Sequence, residues 1–190
     1  MPTAIEIINC LIDIKGYVLD EESVTFDYEK RIVKLWMKPT QTAICDNCGK
    51  ESIHTKDRRE REYRDLPFGS WTAKICILKR RVECKECEVR SERVSFADQR
   101  SNYTRRLEIA VFRDTVEEPI SKVSRHWSIS WDATRTIEKK YLQKWERYKG
   151  LSRKVRWLGI DEICFGRKEN LYTIVSNLHN GEVLGVISGN

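Results

Sequence analysis

Apolar and polar residues alternate in several short stretches of the N-terminal half of the chain, and such alternation is typical of half-buried β-strands. Val24–Tyr28 and Ile32–Met37 alternate on either side of Glu29–Arg31. They predict a β-hairpin that follows a short N-terminal element. A turn at Pro67–Gly69 precedes a third alternating stretch, residues 71–77, which we interpret as another strand.

Helical spacing replaces the alternation between residues 103 and 149. Residues 107–116 predict a first helix, which Pro119 breaks. A short second helix, Ile120–Trp127, follows, and Ser130 is placed as the N-cap of a third. That third helix has Gly150 as its expected C-cap and an apolar stripe made of Ile137, Tyr141, Trp145 and Tyr148.

The last part of the chain returns to strand patterns. Trp157–Asp161, Leu171–Leu178 and Val183–Ile187 are apolar, and Asn180-Gly181 is a strong hairpin-turn signal between the second and the third. These residues predict a three-stranded meander. No apolar run in the sequence reaches the roughly 18 residues that span a bilayer, so we expect no membrane segment.

Four of the seven cysteines occur in two Cys-x-x-Cys pairs, Cys45/Cys48 and Cys84/Cys87. Each short loop directs two thiolates at one ion, and two such loops complete a tetrahedral zinc site without a vacant position. We therefore expect a structural zinc ion, and an iron–sulfur cluster is the main alternative. The sequence has no signal-peptide pattern, so a reducing cytoplasm also favours metal over disulfides.

The remaining cysteines and one histidine have less specific interpretations. Cys10, Cys76 and Cys164 stand alone, and we expect them to be small buried side chains. His54 could replace a cysteine ligand, but a histidine in a surface loop is the favoured interpretation.

A basic segment surrounds the predicted helices. The chain carries a net charge of +6, but Arg100–Arg156 alone has 15 Lys and Arg against 7 Asp and Glu. Such a concentration of charge favours a polyanion as partner. Within it, Ile120–Ile137 has the layout of a helix-turn-helix with an apolar Ile129 in the turn, and its second helix would enter the major groove of DNA.

Particular side chains of this module are candidates for DNA contact. Asp132 and Arg135 would face base edges, and Arg135 suits guanine because Arg pairs with it bidentately. The residues expected on phosphates are Arg125, Lys139, Lys140 and Lys144. An ordinary helical hairpin with a basic solvent face remains the alternative.

The strand Trp157–Asp161 ends in two acids, Asp161 and Glu162. Enzymes that transfer phosphoryl groups with two metal ions place a magnesium ligand at such a strand. One carboxylate cannot build that site, and by itself the pattern is that of a strand end with solvated acids.

Motifs distributed along nearly the whole chain resemble one protein family. Besides the Cys-x-x-Cys pairs they are Arg61-Glu62-Tyr63-Arg64-Asp65-Leu66-Pro67, Arg80-Arg81-Val82-Glu83, Ile120-Ser121-Lys122-Val123-Ser124, Gly159-Ile160-Asp161-Glu162, Arg167-Lys168, Tyr172-Thr173-Ile174-Val175 and Gly181-Glu182-Val183-Leu184. In this order they resemble the N-terminal part of the ISL-three family of bacterial insertion-sequence transposases.

The resemblance implies a zinc-binding N-terminal domain, a helix-turn-helix for the terminal inverted repeats of the element, and a ribonuclease-H-like catalytic domain. That domain cuts and joins DNA with two Mg²⁺ ions held by an Asp-Asp-Glu triad. Asp161 matches the first aspartate, and Glu162 is its neighbour rather than a member of the triad. Asn177 and Asn190 stand where the family often has Asp and Arg.

The resemblance also predicts the α+β class and four segments. These are an N-terminal element and hairpin (1–40), a small β-rich zinc-ribbon domain with four cysteine ligands (41–99), a helix-turn-helix module (100–152) and a partial, three-stranded start of a ribonuclease-H-like domain (153–190). The sequence ends at Asn190. We therefore expect a truncated transposase of the bacterial cytoplasm that binds transposon-end DNA, but performs no strand transfer alone.

Three other functions are consistent with the same residues. The chain could be a regulator that occupies the terminal repeats and blocks intact transposase, or one part of a split transposase that a second polypeptide completes. It could also be a zinc-ribbon module for protein interaction. A second copy of the chain or a full-length transposase are the expected protein partners.

Overall fold

The computed structural model describes residues 3–149, 155–164 and 171–188, which form two compact units, Met1–Leu142 and Gln143–Asn190. The first unit contains α1 (Ala4–Ile12), β1 (Tyr17–Asp27), β2 (Ile32–Pro39), β3 (Ala43–Ile44), β4 (Glu51–Ser52), β5 (Thr55–Arg64), β6 (Thr72–Cys84), β7 (Glu88–Ser91), α2 (Arg105–Glu117), α3 (Ile120–Trp127) and most of α4 (Trp131–Lys149). The second contains the end of α4 with β8 (Leu158–Cys164), β9 (Leu171–Asn177) and β10 (Glu182–Ser188). The mixed α+β class is confirmed.

A five-stranded sheet organises the first unit. Its strand order is β1-β2-β6-β5, and β7 pairs with the C-terminal end of β6. The predicted hairpin is present as β1 and β2, which pair antiparallel. However, β2 also pairs with β6 in parallel. The boundary predicted at residue 40 therefore does not separate two folds, because backbone hydrogen bonds join both segments into one sheet.

One face of this sheet is the core of the unit. Side chains alternate along β2 and β6, so that Leu35 and Met37 lie beside Ile75 and Ile77 on the same face, all of them buried. Tyr63 of β5 completes this layer, and its ring meets Phe96 edge-on at a centroid distance of 5.2 Å. The alternation seen in the sequence is thus the consequence of one buried face.

Strand β5 was not predicted, although it is ten residues long. Its sequence, Thr55–Arg64, is almost entirely charged, and apolar alternation is absent from it. The strand lies at the edge of the sheet, where its outer side bonds through Arg64 to residues 102–104 but pairs with no further strand of the described residues, and most side chains reach solvent. Charged side chains are common on such edges because they prevent pairing with other chains.

The three helices after the sheet form a second core. Leu107 and Val111 of α2 pack with Val123 of α3 and Ile137 of α4, and Ile129 closes the turn between α3 and α4. The predicted cap is present in the structure, since the hydroxyl of Ser130 accepts a hydrogen bond from the backbone N–H of Ala133 at 3.2 Å. The predicted C-cap, Gly150, lies outside the described residues.

Asp65, directly after β5, connects the sheet to α2. Its side chain is fully buried. One carboxylate oxygen accepts hydrogen bonds from the hydroxyl of Thr104 at 2.6 Å and from Nε of Arg106 at 2.7 Å, and the other pairs with Nη2 of Arg106. Thr104 is also the N-cap of α2, so one carboxylate sets where that helix begins.

Arg64, one residue earlier, connects the sheet to the turn between α3 and α4. Its guanidinium donates to the backbone carbonyl of Ser128 at 2.6 Å and to that of Trp127. Ser128 is the C-cap of α3 and has left-handed backbone angles, with φ at 48°. Arg64 therefore binds carbonyl groups at the C-terminal end of a helix, where a positive charge is favoured.

The second unit contains the predicted three-stranded meander. β8 and β10 both pair antiparallel with β9, which lies between them. Gly181 in the connecting turn has a φ of +70°, as expected for the Asn-Gly signal. None of the helices in the described part of the chain is both long and apolar enough to span a membrane.

The buried carboxylate gives a direct test of the joint between sheet and helices. Replacing Asp65 by Ala leaves the guanidinium of Arg106 and the hydroxyl of Thr104 without their partner, so we expect the free energy of unfolding to fall by about 3 kcal/mol. Glu118→Ala is the matched control, because its exposed pair with Lys122 should contribute less than about 0.5 kcal/mol. Urea denaturation of both variants measures the difference, and equal losses would contradict the role of Asp65.

Candidate zinc centre and DNA-binding helices

Four cysteine side chains converge at one end of the sheet. Cys45 and Cys48 lie in the loop after β3, and Cys84 and Cys87 lie at the turn between β6 and β7. Their sulfur atoms all lie within 4.8 Å of one another, and the Sγ atoms of Cys48 and Cys84 are 3.4 Å apart. The structure thus brings together the two pairs predicted from spacing.

The two cysteine loops have similar backbone geometry. The residue after the second cysteine is left-handed in both, with a φ of +76° at Gly49 and +59° at Glu88. This conformation lets the chain turn back so that both sulfurs of a loop point the same way. In the first loop the backbone N–H of Gly49 donates to the carbonyl of Cys45 at 3.1 Å. A glycine is present in one loop only, and Glu88 takes up the same conformation at a steric cost.

The arrangement fits a tetrahedral zinc ion. Zinc–sulfur bonds of about 2.3 Å place the four sulfurs of a tetrahedron about 3.8 Å apart, close to the observed spacing. The backbone N–H of Glu86 and the side chain of Cys48 lower the pKa of Cys84 to about 7. The backbone N–H of Lys50 acts in the same direction on Cys48, but the hydrogen bond between Cys48 and Cys84 raises the pKa of Cys48 to about 12, so the two thiols share one proton between them. With four protein ligands no position remains for substrate, so the ion is structural.

The other cysteines are only partly as predicted. Cys76 is buried in β6, and burial raises the pKa of its thiol to about 11. Cys10 and Cys164 are exposed, so the expectation that they are buried was wrong. Cys10 lies on the solvent side of a short helix and Cys164 ends a strand of the smaller sheet, positions that their apolar neighbours in sequence do not reveal. His54 is exposed and lies outside the cysteine cluster.

Most of the residues predicted to contact DNA are exposed on α3 and α4. Arg125 on α3 and Asp132, Arg135 and Lys139 on α4 all reach solvent. The guanidinium of Arg135 lies 6.0 Å from the centre of the Trp131 ring and 3.2 Å from a carboxylate oxygen of Glu138. Its stem is thus oriented along the helix, while 44% of the side chain stays accessible.

Lys140 occupies a different environment from that expected. Its ammonium pairs with a carboxylate oxygen of Asp98 at 2.8 Å and with Glu108 of α2. Burial alone would raise the pKa of Asp98, but hydrogen bonds from Lys140 and Arg105 hold it well below its usual range. Lys140 therefore connects α4 to α2 and the preceding loop, which makes it a poor candidate for phosphate binding. Lys144 is half-buried on the same helix.

Asp161 is exposed on β8, where one of its carboxylate oxygens accepts the backbone N–H of Glu162 at 2.9 Å. Within residues 3–149, 155–164 and 171–188, the four cysteines are the one group of three or more potential ligands close enough to share a metal. Asp161 therefore has no second and third acidic partner in the described part of the chain.

Sequence reasoning missed the role of Arg64 and Asp65. Both belong to the Arg61–Pro67 motif, which contributed to the family resemblance but had no chemical interpretation. The roles of this buried Asp and this strand-terminal Arg depend on partners that follow about 40 and 60 residues later. The sequence alone does not identify those partners.

Metal analysis tests the zinc site. We expect one zinc per chain by mass spectrometry, and loss of that zinc in Cys84→Ser together with a large loss of stability, because zinc binding supplies folding free energy on the order of 10 kcal/mol. Cys10→Ser removes a thiol outside the cluster and should keep the zinc. Bound iron with a visible charge-transfer absorbance, or equal zinc in both variants, would contradict the assignment.

Comparison with known proteins agrees with the geometry. Residues 41–87, which contain all four ligands, match a family model described as the zinc-finger of transposase IS204/IS1001/IS1096/IS1165. Over 161 residues, 84% of its length, the chain is 25% identical to the transposase for insertion sequence element IS1001 of Bordetella parapertussis, and the match spans 39% of that protein. No solved structure matches the chain. Residues 41–87 are thus similar to the zinc finger of ISL-three transposases, and most of the chain is distantly similar to one transposase that carries such a finger.

Proposed function

We propose that the chain binds the terminal inverted repeats of its insertion element. In this proposal the zinc ribbon is the scaffold, and the α3–α4 module contacts the bases. The observation that carries the proposal is the anchored helix pair. A short helix and a long one meet at a left-handed Ser128, pack on Ile129, and are held to the sheet by Arg64. This is the arrangement by which helix-turn-helix proteins present a second helix to the major groove.

The exposed side chains of α4 support this assignment. Asp132 lies in its first turn and Arg135 one turn later, which is the part of a recognition helix that contacts base edges. Arg135 can reach a guanine through two donors, while Lys139 and Arg125 suit phosphates. Lys140 is left out, because its ammonium already has two acidic partners within the fold.

The charge of the segment supports binding to a polyanion. Arg100–Arg156 has a net charge of +8, and phosphate contacts by Lys and Arg release the counterions condensed on DNA. Affinity should therefore fall steeply as salt rises. A helix pair that only served to pack the fold would not require this excess.

The second unit suggests a part in catalysis. We propose that Asp161 would be the first acidic ligand for Mg²⁺ ions, which in a whole transposase would stabilise the charge on the attacking and leaving oxygens of DNA cleavage. The chain spans about two fifths of the length of the relative it matches, so this activity belongs to the proposal for a whole transposase. In the described residues Asp161 belongs to no group of three or more ligands close enough to share a metal, and the DNA-binding role therefore comes first.

Substitutions on α4 test whether this helix contacts DNA as proposed. With a labelled duplex that carries the inverted repeat next to the gene, Arg135→Ala should cost about 1–3 kcal/mol of binding and relax discrimination against a scrambled duplex. Lys139→Ala should weaken binding to both duplexes about equally and make the salt dependence shallower. Arg113 is exposed on α2, outside the α3–α4 pair but within the same basic segment, so Arg113→Ala is the control and should weaken binding much less. Unchanged affinity in Arg135→Ala and Lys139→Ala would favour a protein-interaction role instead.

A further inference from the structure

The face of the sheet that carries the core continues beyond it as a basic surface. Side chains on this face alternate along β5 as Tyr63, Arg61 and Arg59, and Lys79 lies directly opposite Arg59 on β6. Tyr63 is buried, whereas Arg59 and Arg61 are exposed and Lys79 is half-buried. The apolar core thus gives way to three positive side chains within one short stretch of two paired strands.

The acidic neighbours of these three cations already bind other side chains. Asp57, the next residue on this face, accepts a hydrogen bond from Arg81 at 2.7 Å, and its other oxygen is 3.9 Å from Nε of Arg59, too far for a hydrogen bond. The carboxylate of Asp57 therefore lies close to both Arg81 and Arg59 and hydrogen-bonds to Arg81. Glu62 lies on the opposite face, where Lys34 and Lys74 bind it.

Lys79 has charged neighbours of both signs. Burial lowers its pKa, Asp46 and Glu92 oppose this effect, and the nearby charge of Arg61 lowers it further, but Glu92 is itself bound by Arg80. Asp46 in turn accepts a hydrogen bond from Gln99 at 2.8 Å. Like charges that a fold holds together in this way are relieved by an anion from outside.

Short contacts connect this surface to the helix-turn-helix. The guanidinium of Arg61 donates to the side-chain oxygen of Asn102 at 3.3 Å, and the backbone carbonyl of Asn102 accepts the N–H of Arg64 at 2.8 Å. Arg64 then binds Ser128 in the turn before α4. The basic surface is therefore connected through Asn102 and the backbone of Arg64 to the turn that presents the proposed recognition helix.

We propose that Arg59, Arg61 and Lys79 form a second contact with the DNA backbone, binding phosphates beside the segment that α4 reads. The proposal rests on the DNA-binding function proposed above and adds a second set of contacts on the zinc ribbon. Arg61 is oriented for this role by Asn102 and by the ring of Tyr63, whose centre lies 5.9 Å from its guanidinium. Phosphate contacts carry no sequence information, so they hold the duplex in register for α4.

The salt dependence of binding tests this proposal with matched variants of the full chain. The probes are a fluorescein-labelled duplex with the element's inverted repeat and a scrambled duplex of the same length. Arg59→Gln with Arg61→Gln should weaken binding to both duplexes and reduce the slope of log K against log salt by about 0.9 for each lost phosphate contact. Arg59→Lys with Arg61→Lys keeps both charges and should restore most of the slope.

The control takes two charges from the same strand but from other positions. Arg58 points to the opposite face, beside Arg80, and Lys56 lies at an irregularity in the pairing of β5. Lys56→Gln with Arg58→Gln lowers the net charge equally and should change the slope much less. An equal change in both double variants would mean that only net charge matters, and would overturn the proposal.

Three further outcomes separate this proposal from the function on which it rests and from a role of the arginines at the sheet edge. If Arg135→Ala weakens binding while Arg59→Gln with Arg61→Gln does not, the second contact is wrong and the recognition helix stands. If the native chain binds neither duplex, DNA binding itself is wrong. If the glutamine variants self-associate in sedimentation without a change in the slope, the arginines protect the sheet edge instead, which also overturns the proposal.

Discussion

Two consecutive residues, Arg64 and Asp65, hold the helices of the first unit to its sheet. Asp65 is a fully buried carboxylate that fixes the start of α2 through Thr104 and Arg106. Arg64 binds the carbonyls at the end of α3. A buried carboxylate is costly unless hydrogen bonds satisfy it. Helix arrangements that break the hydrogen bonds of Asp65 are therefore strongly disfavoured. The direction in which α4 leaves the sheet follows from that arrangement.

The zinc site stabilises the strand pair that ends at Arg64 and Asp65. Arg64 ends β5, β5 pairs with β6 along most of its length, and β6 ends at the zinc ligand Cys84. The metal therefore fixes one end of the strand pair, and the joint to the helices lies at the other. The edge strand β5 is almost wholly charged and contributes Tyr63 to the core of the sheet, so metal binding supplies free energy that the apolar contacts of this strand do not. The zinc ribbon is in this sense a scaffold for the helices and, by our proposal, a second contact for DNA.

The sequence predicted those features that depend on nearby residues. The β1–β2 hairpin follows from alternation, the end of α2 from Pro119, the cap of α4 from Ser130, and the zinc ligands from the spacing of their loops. Features that depend on distant partners were missed or wrong. β5 has no apolar alternation because it is an edge strand. The segment boundary predicted at residue 40 lies within one sheet, because β2 pairs with β6 in parallel.

The charged residues show the same limit. Lys139 and Lys140 are neighbours on one basic helix, and the sequence alone does not distinguish them. In the structure Lys139 reaches solvent, whereas Lys140 meets Asp98 and Glu108. Arg64 and Arg61 likewise belong to one charged strand, yet Arg64 binds a helix end and Arg61 remains exposed. Which charges are available to a partner is decided by tertiary contacts.

The affinity of Arg64→Ala for the inverted-repeat duplex tests the central claim most directly. The substitution removes two hydrogen bonds from a charged donor to the turn before α4, but it touches neither the zinc ligands nor an exposed residue of α4. If the sheet positions α4 for DNA binding, affinity should fall by roughly tenfold or more, while zinc content and the helical signal in circular dichroism stay unchanged. Native affinity in a variant that has lost these bonds would contradict the account.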